Sequence, residues 1–191
     1  MKPAVFLDRD GVINEEIGFI TRLEGLHIFP YVRDCIKELH GLGYYVIIIS
    51  NQSGVARGYL TEEELNIIHD HIKSETDVDA IYYCPYYKDG VVEKYRRDSN
   101  LRKPGIGMIQ QACKDYDIDM SESLMVGDRA TDIKTGQNAG IQTILLESGY
   151  GTARLEEDIR PDYVMNDLRD VVEVLRNKRT TEVPKDAIQT V

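Results

Sequence analysis

Residues 5–11 read Val5-Phe6-Leu7-Asp8-Arg9-Asp10-Gly11, an apolar run that ends on two carboxylates separated by one residue. A short apolar run without polar alternation is the pattern of a strand covered on both faces. Ala4–Leu7 is the first such run, and Tyr45–Ile49, Ala80–Tyr83, Leu124–Val126 and Thr143–Leu146 repeat it. Amphipathic stretches lie between them: Val32–His40, Leu65–Lys73, Met108–Tyr116 and Thr131–Asn138. Thr61-Glu62-Glu63-Glu64 has the form of a capping box, and Gly41, Gly43 and Gly140 mark stops. Tyr163–Met165 and Leu168–Asn177 predict an edge strand and a closing helix. Strand-helix alternation of this kind predicts an α/β fold, a Rossmann-like three-layer αβα sandwich around a mostly parallel sheet. Residues 1–179 are expected to form one domain, and residues 180–191, polar and containing Pro184, a flexible tail.

Of the 191 residues, 42% are hydrophobic and 29% charged, the balance of a globular protein with a core of ordinary size. No apolar run approaches the roughly 20 residues that span a bilayer. The N-terminus passes directly into a strand, so the expectation is a cytoplasmic chain without a leader and without a membrane partner. Thirty-three acidic against 23 basic residues give a net charge of −10. That argues against nucleic acid, which requires clustered positive charge. A small phosphorylated ligand needs only a local basic pocket. Three widely spaced cysteines, Cys35, Cys84 and Cys113, do not make a disulfide framework and read as buried free thiols.

Residues 12–30 and 85–104 are long inserts after the first and third runs, and loops of that length are functional or disordered. In parallel sheets ligands bind beyond the carboxyl ends of the strands, where both inserts and the acidic pair emerge. Asp8 and Asp10 repel one another unless a proton or a cation lies between them. A divalent ion resolves the repulsion, and Mg²⁺ favours one or two carboxylates together with phosphate; a capping or turn pair is the plainer alternative. Ser50-Asn51-Gln52-Ser53-Gly54 closes the second run with hydroxyl and amide donors. Lys103 precedes a helix, and Gly127-Asp128-Arg129-Ala130-Thr131-Asp132 closes the fourth run with a second acidic pair. Each segment alone is also compatible with a turn or a cap. Together they bring carboxylates, phosphate donors and a lysine to one edge of the sheet.

These segments resemble the haloacid dehalogenase superfamily of phosphotransferases, through "DRDGV", "SNQSG", "RKP" and "GDRATD" over residues 4 to about 146. "FLDRDGVIN", "SNQSGVARG", "IYYCP" and "RKPGIGM" narrow the resemblance to the heptose-bisphosphate phosphatases, which group with the histidinol-phosphate phosphatases. The resemblance implies that Asp8 is the nucleophile and forms an aspartyl-phosphate. Asp10 would protonate the leaving oxygen and later activate water. Mg²⁺ would be held by Asp8, the Asp10 carbonyl and Asp128, with Asp132 behind them. Ser50 and Lys103 would hold the phosphoryl oxygens. Glu16, Gly18, Phe19, Asn51, Gln52, Ser53, Arg102 and Arg129 would meet the substrate, with Arg57 a further candidate. No stretch is long enough for a separate cap domain. Arg102 and Arg129 suit a second, non-reacting phosphate, which favours a sugar bisphosphate over histidinol phosphate; a surface ion pair is the alternative for each arginine. The implied reaction removes the C7 phosphate of D-glycero-D-manno-heptose 1,7-bisphosphate during synthesis of lipopolysaccharide or a related surface glycan, with a histidinol-phosphate or other small phosphosugar phosphatase as the alternative; a monomer is the default expectation.

A phospho-accepting signalling receiver is the reading from another class, but receivers carry their acceptor on a later strand than the acidic pair. A DNA-end phosphatase of the same superfamily does not suit the acidic charge. The chain departs from the resemblance in one loop. Many heptose phosphatases hold a structural zinc there with Cys-x-His and Cys-x-Cys pairs, where this sequence has Cys84-Pro85-Tyr86 and Ser99-Asn100-Leu101. With Cys84 alone remaining, the expectation is a zinc-free loop held by Tyr86, Tyr87 and Leu101.

Overall fold

The structure, a computed structural model, describes residues 1–156 and 158–181. The apolar runs become β1 (Ala4–Leu7), β2 (Tyr45–Asn51), β3 (Ala80–Cys84), β4 (Leu124–Gly127), β5 (Gln142–Leu146) and β6 (Tyr163–Met165). They form one six-stranded sheet in the order β3-β2-β1-β4-β5-β6. Each neighbouring pair is parallel, so the sheet expected to be mostly parallel is wholly so. The helices are α1 (Val32–Gly41), α2 (Glu62–Thr76), α3 (Gly107–Asp115), α4 (Ala130–Ala139) and α5 (Leu168–Thr181).

Alternation along each strand divides the core between the two faces. Val5, Leu7, Val46, Ile48, Leu124, Val126, Ile144 and Leu146 point to one face, where they meet the apolar stripes of α1, α2 and α5. Ala4, Phe6, Ile47, Ile49 and Met125 point to the other and pack against Met108, Ile109 and Ala112 of α3. Ile133 of α4 covers Leu145 beside them. Every inner strand is thus apolar at consecutive positions because both of its faces are covered.

The element boundaries differ modestly from those expected. β2 continues through Ser50 and Asn51, which pair with Tyr83 and Cys84. α2 begins at Glu62, directly after Thr61, whose hydroxyl accepts from Glu64 N while Thr61 N donates to the Glu64 carboxylate. α5 reaches Thr181, two residues beyond the expected end of the domain; the rest of the expected tail, 182–191, lies outside the described residues. Among the described residues, no helix is long and apolar enough to cross a membrane.

The strand order reverses beside β1, with β2 on one side and β4 on the other, and a crevice opens beyond their carboxyl ends. Both inserts are packed loops at this end. The first is tied by Gly11 N to Asn14 O at 2.7 Å and Phe29 N to Ile13 O at 3.0 Å. The second is tied by Tyr87 N to Tyr95 O at 3.1 Å and Val92 N to Ala56 O at 3.0 Å. Neither forms a separate cap.

A candidate active site beyond the strand ends

Asp8 follows the last residue of β1 and is buried. Lys103 Nζ lies 2.8 Å from its Oδ1 and 2.5 Å from Asp132 Oδ1, so one ammonium joins two carboxylates. The position of Lys103 is itself set by Asn51 at the end of β2. The Asn51 amide donates to Lys103 O at 3.1 Å, and its carbonyl accepts from Lys103 N at 2.9 Å. Asp132, in the first turn of α4, also accepts from Arg129 N at 3.0 Å and closes that helix start.

Asp128 follows β4 and is fully buried between two glycines. A side chain on Gly11, whose φ is +81°, or on Gly149 would collide with its carboxylate. Asp128 Oδ2 accepts from Tyr150 N at 2.9 Å, whereas Oδ1 is buried with no hydrogen-bond partner among the described residues. Single carboxylate oxygens of Asp8, Asp128 and Asp132 lie within 4.8 Å of one another. Burial, then the charge of Asp132, pushes Asp8 up to about 7 against the pull of Lys103. Burial, then Asp8 and Asp132, pushes Asp128 up to about 8. Three carboxylates face the Lys103 ammonium, and the Arg129 guanidinium, 3.9 Å from Asp128 Oδ1, is also engaged by Glu16, so negative charge remains in excess and the all-oxygen donor set fits a hard divalent cation.

Asp10 is treated differently. Its carboxylate accepts from Arg9 Nε at 3.2 Å, from Arg9 Nη2 at 3.0 Å, from Asn14 at 2.9 Å and from Gln52 at 3.2 Å. Burial works against its ionisation, but the Arg9 charge and these hydrogen bonds outweigh burial and hold the carboxyl below its ordinary value. The two aspartates therefore do not share one set of partners. Asp8 faces Lys103 and the acidic cluster, and Asp10 faces Arg9.

A cleft of about 280 Å³ opens over both. Its wall includes Asp8, Asp10, Gly18, Phe19, Ser50, Asn51, Gln52, Ser53, Arg57, Arg102, Lys103 and Arg129, which the sequence singled out. Thr131 and Tyr150 also line it and were not anticipated. Tyr150 follows β5, so the rule that points to the ends of β1, β2 and β4 applies there as well. Asp128 and Asp132 lie beneath the wall. Glu16 does not line the cleft: its carboxylate accepts from Arg129 Nη2 at 2.5 Å and from Gly18 N at 2.6 Å. Asn51, expected at the substrate, has its amide engaged with the Lys103 backbone.

The basic side chains divide accordingly. Arg129 is paired with Glu16 and stacks 4.4 Å from the Tyr150 ring. Arg57 and Arg102 lie 4.1 Å and 5.1 Å from the Tyr87 ring, and no carboxylate among the described residues pairs with either. Arg57 Nε and Arg102 Nη1 are buried with no hydrogen-bond partner among the described residues. Around them, Tyr86, Tyr87 and Leu101 pack against the core, and the Arg97 guanidinium lies 3.8 Å from the Tyr86 ring. Cys84 is buried, with its thiol directed at Tyr86 O, 3.8 Å away.

The chain is similar in sequence and in fold to known proteins. A HAD-hydrolase-like family model matches residues 100–171. D-glycero-D-manno-heptose-1,7-bisphosphate 7-phosphatase from Thermosynechococcus vestitus is 40% identical over 185 residues, covering 90% of this chain and 94% of the relative. D-glycero-alpha-D-manno-heptose-1,7-bisphosphate 7-phosphatase from Photorhabdus laumondii is 41% identical over 162 residues, covering 80% and 87%. Among solved structures, the D,D-heptose 1,7-bisphosphate phosphatase of B. bronchiseptica, complexed with magnesium and phosphate, is 31% identical with a TM-score of 0.79. That match covers 93% of this chain and 99% of the other.

Proposed function

The chain belongs to the D-glycero-D-manno-heptose-1,7-bisphosphate 7-phosphatase family of haloacid dehalogenase-like hydrolases, and from that premise we propose how its residues divide the reaction. The substrate is D-glycero-D-manno-heptose 1,7-bisphosphate, and the reaction releases its C7 phosphate on the way to a surface-glycan precursor. The observation that carries this reading is the contrast between Asp8, aimed at the cleft beside Lys103, and Asp10, held apart by Arg9. An oxygen of Asp8 attacks phosphorus; the Asp8–phosphorus bond forms as the bond from phosphorus to the C7 oxygen breaks. Asp10, ionised beside Arg9 in the free protein, takes up a proton as the anionic substrate binds and gives it to that departing oxygen. Water then attacks the aspartyl-phosphate, Asp10 takes the proton of the water, and Asp8 is released with inorganic phosphate. Magnesium held by Asp8, the Asp10 carbonyl and Asp128 would offset the charge on nucleophile and phosphate. Ser50 and Lys103 hold the phosphoryl oxygens, and Asn51 acts on the same step by fixing the Lys103 backbone.

The second phosphate falls to Arg102 and Arg57. Two guanidinium groups without carboxylate partners, each with an unbonded nitrogen, make an anion site in the cleft wall. Arg129, engaged with Glu16, is the weaker partner for that phosphate. A cleft of this size, with Arg57, Arg102 and Lys103 in its wall, suits a small phosphorylated sugar, and the net charge of −10 argues against nucleic acid; we take the enzyme to be a cytoplasmic monomer. The Cys84 loop is read as zinc-free, supported by its aromatic and cation–π packing. Metal analysis of protein purified without chelators is expected to find no stoichiometric zinc, and one tightly held zinc per chain would refute this.

The test of function is phosphate release from both anomers of the heptose bisphosphate, the heptose 1-phosphate and histidinol phosphate, each with magnesium. Phosphorus NMR is expected to show the 1-phosphate accumulating. Preference for histidinol phosphate would overturn the assignment.

A further inference from the structure

Arg9 is the largest of the fully buried side chains, at 1% exposure, and it does not reach the cleft. Removing a guanidinium from water is costly unless its donors are met. Three of its contacts go to Asp10, as described above. The remaining Nη1 lies 3.3 Å from Nε2 of His69, on the buried side of α2. A guanidinium donates and cannot accept, so His69 Nε2 must be the acceptor and the ring proton must lie on Nδ1. His69 is itself 5% exposed, with its ring 5.1 Å from that of Tyr83 on β3. The plane of the Arg9 fork is therefore set from behind by a side chain anchored on a helix and flanked by a strand.

We propose that His69 and Arg9 are positioning residues for Asp10: His69 fixes the guanidinium plane, and the Arg9 fork turns the Asp10 carboxylate toward the oxygen leaving phosphorus. This rests on Asp10 being the acid and base of the proposed reaction. Neither residue touches substrate. The relay matters where Asp10 must deliver a proton to an alkoxide, and hardly at all where the leaving group departs without one. A one-residue spacing between carboxylates makes this device available, because Arg9 points behind the pair that Asp8 and Asp10 begin.

The test compares His69→Leu, which removes the acceptor, with His69→Gln, whose amide oxygen reaches a similar point. Two alkyl phosphates, the heptose bisphosphate and glycerol 2-phosphate, are compared with p-nitrophenyl phosphate. In His69→Leu, kcat/KM for the alkyl phosphates is expected to fall at least about tenfold. The burst of nitrophenolate from the aryl phosphate is expected to keep its rate within about twofold, and His69→Gln to recover most of the alkyl activity. Equal losses on alkyl and aryl phosphates would overturn the relay in favour of a purely structural role, as would unchanged alkyl turnover. If His69→Leu does not fold, His69→Asn, too short to meet Arg9, is read in the same assays. Inert heptose bisphosphate with turnover of glycerol 2-phosphate would defeat the substrate assignment, and the glycerol phosphate contrast would still decide the relay.

Discussion

Asp8 and Asp10 are two residues apart, and their surroundings move them in opposite directions: Asp8 up to about 7, Asp10 below its ordinary value. These directions belong to the site without a cation and run opposite to the proposed roles, so the charge on Asp8 depends on the divalent ion and the proton on Asp10 on the bound phosphate. Asp8→Asn keeps the side-chain volume and the Lys103 contact while removing the attacking charge. Magnesium-dependent turnover is expected to vanish with the melting temperature nearly unchanged; substantial residual activity would disqualify Asp8 as the nucleophile. His69 supplies a second residue-scale test. Burial, then the Arg9 charge, lowers it from 6.5 to about 3. The unfolded chain binds a proton that the folded chain refuses between those values. This contribution is therefore complete above pH 6.5 and is lost as pH falls, with a limiting slope of about 1.4 kcal/mol per pH unit. Urea unfolding of wild type and His69→Gln from pH 7 to pH 4 should show the shallower dependence in the variant; parallel curves would mean that His69 titrates normally. Asp8, Asp10, Asp128 and Ser50 were legible in the sequence because they end or follow strands whose carboxyl ends must converge, and Lys103 through the Arg102-Lys103-Pro104 segment ahead of α3. Arg9 and His69 were not, because their meeting depends on how α2 docks, which helical periodicity leaves open.

At the scale of elements, the strands were legible because two covered faces require consecutive apolar residues, a signal that short apolar runs carry clearly. β2 extends past Ile49 through polar Ser50 and Asn51 because its ladder with β3 is made by backbone groups, to which hydropathy is blind. The start of α2 is written into Thr61 and Glu64, and Thr61→Ala should cost about 1 kcal/mol, read from chemical denaturation. The loop between β3 and α3 shows the limit of sequence reading. Missing ligands argued against zinc, but only the folded chain brings Arg57, from the loop after β2, to the Tyr87 ring that Arg102 also approaches. Arg57→Ala and Arg102→Ala are each expected to lower kcat/KM for the bisphosphate by roughly 1.5–3 kcal/mol while sparing p-nitrophenyl phosphate. Equal losses on both substrates would place the two arginines at the reacting phosphate or indicate collapse of the loop.

At the scale of the whole molecule, the reversal of strand order beside β1 brings Asp8 and Asp128, 120 positions apart in sequence, to one crevice, with Asp132 completing the cluster. That convergence has a global consequence. The buried carboxylates of Asp8 and Asp128 disfavour their own ionisation, so the folded chain without a counter-cation bears repulsion that the unfolded chain relieves. A divalent ion that binds only the folded state adds about 2.7 kcal/mol at one hundred times its dissociation constant. For a chain of this length that corresponds to a rise of roughly 5–10 °C in melting temperature. Asp128→Asn preserves an oxygen to accept from Tyr150 N while removing one charge from the cluster. Its melting temperature without magnesium should equal or exceed that of wild type, and its response to magnesium should largely disappear. Melting curves of both proteins in magnesium chloride and in potassium chloride of matched ionic strength separate ion binding from screening. A wild-type rise with magnesium alone, absent from the variant, is the expected pattern. An equal rise in both would mean that the ion stabilises the protein from somewhere other than the Asp8, Asp128 and Asp132 cluster.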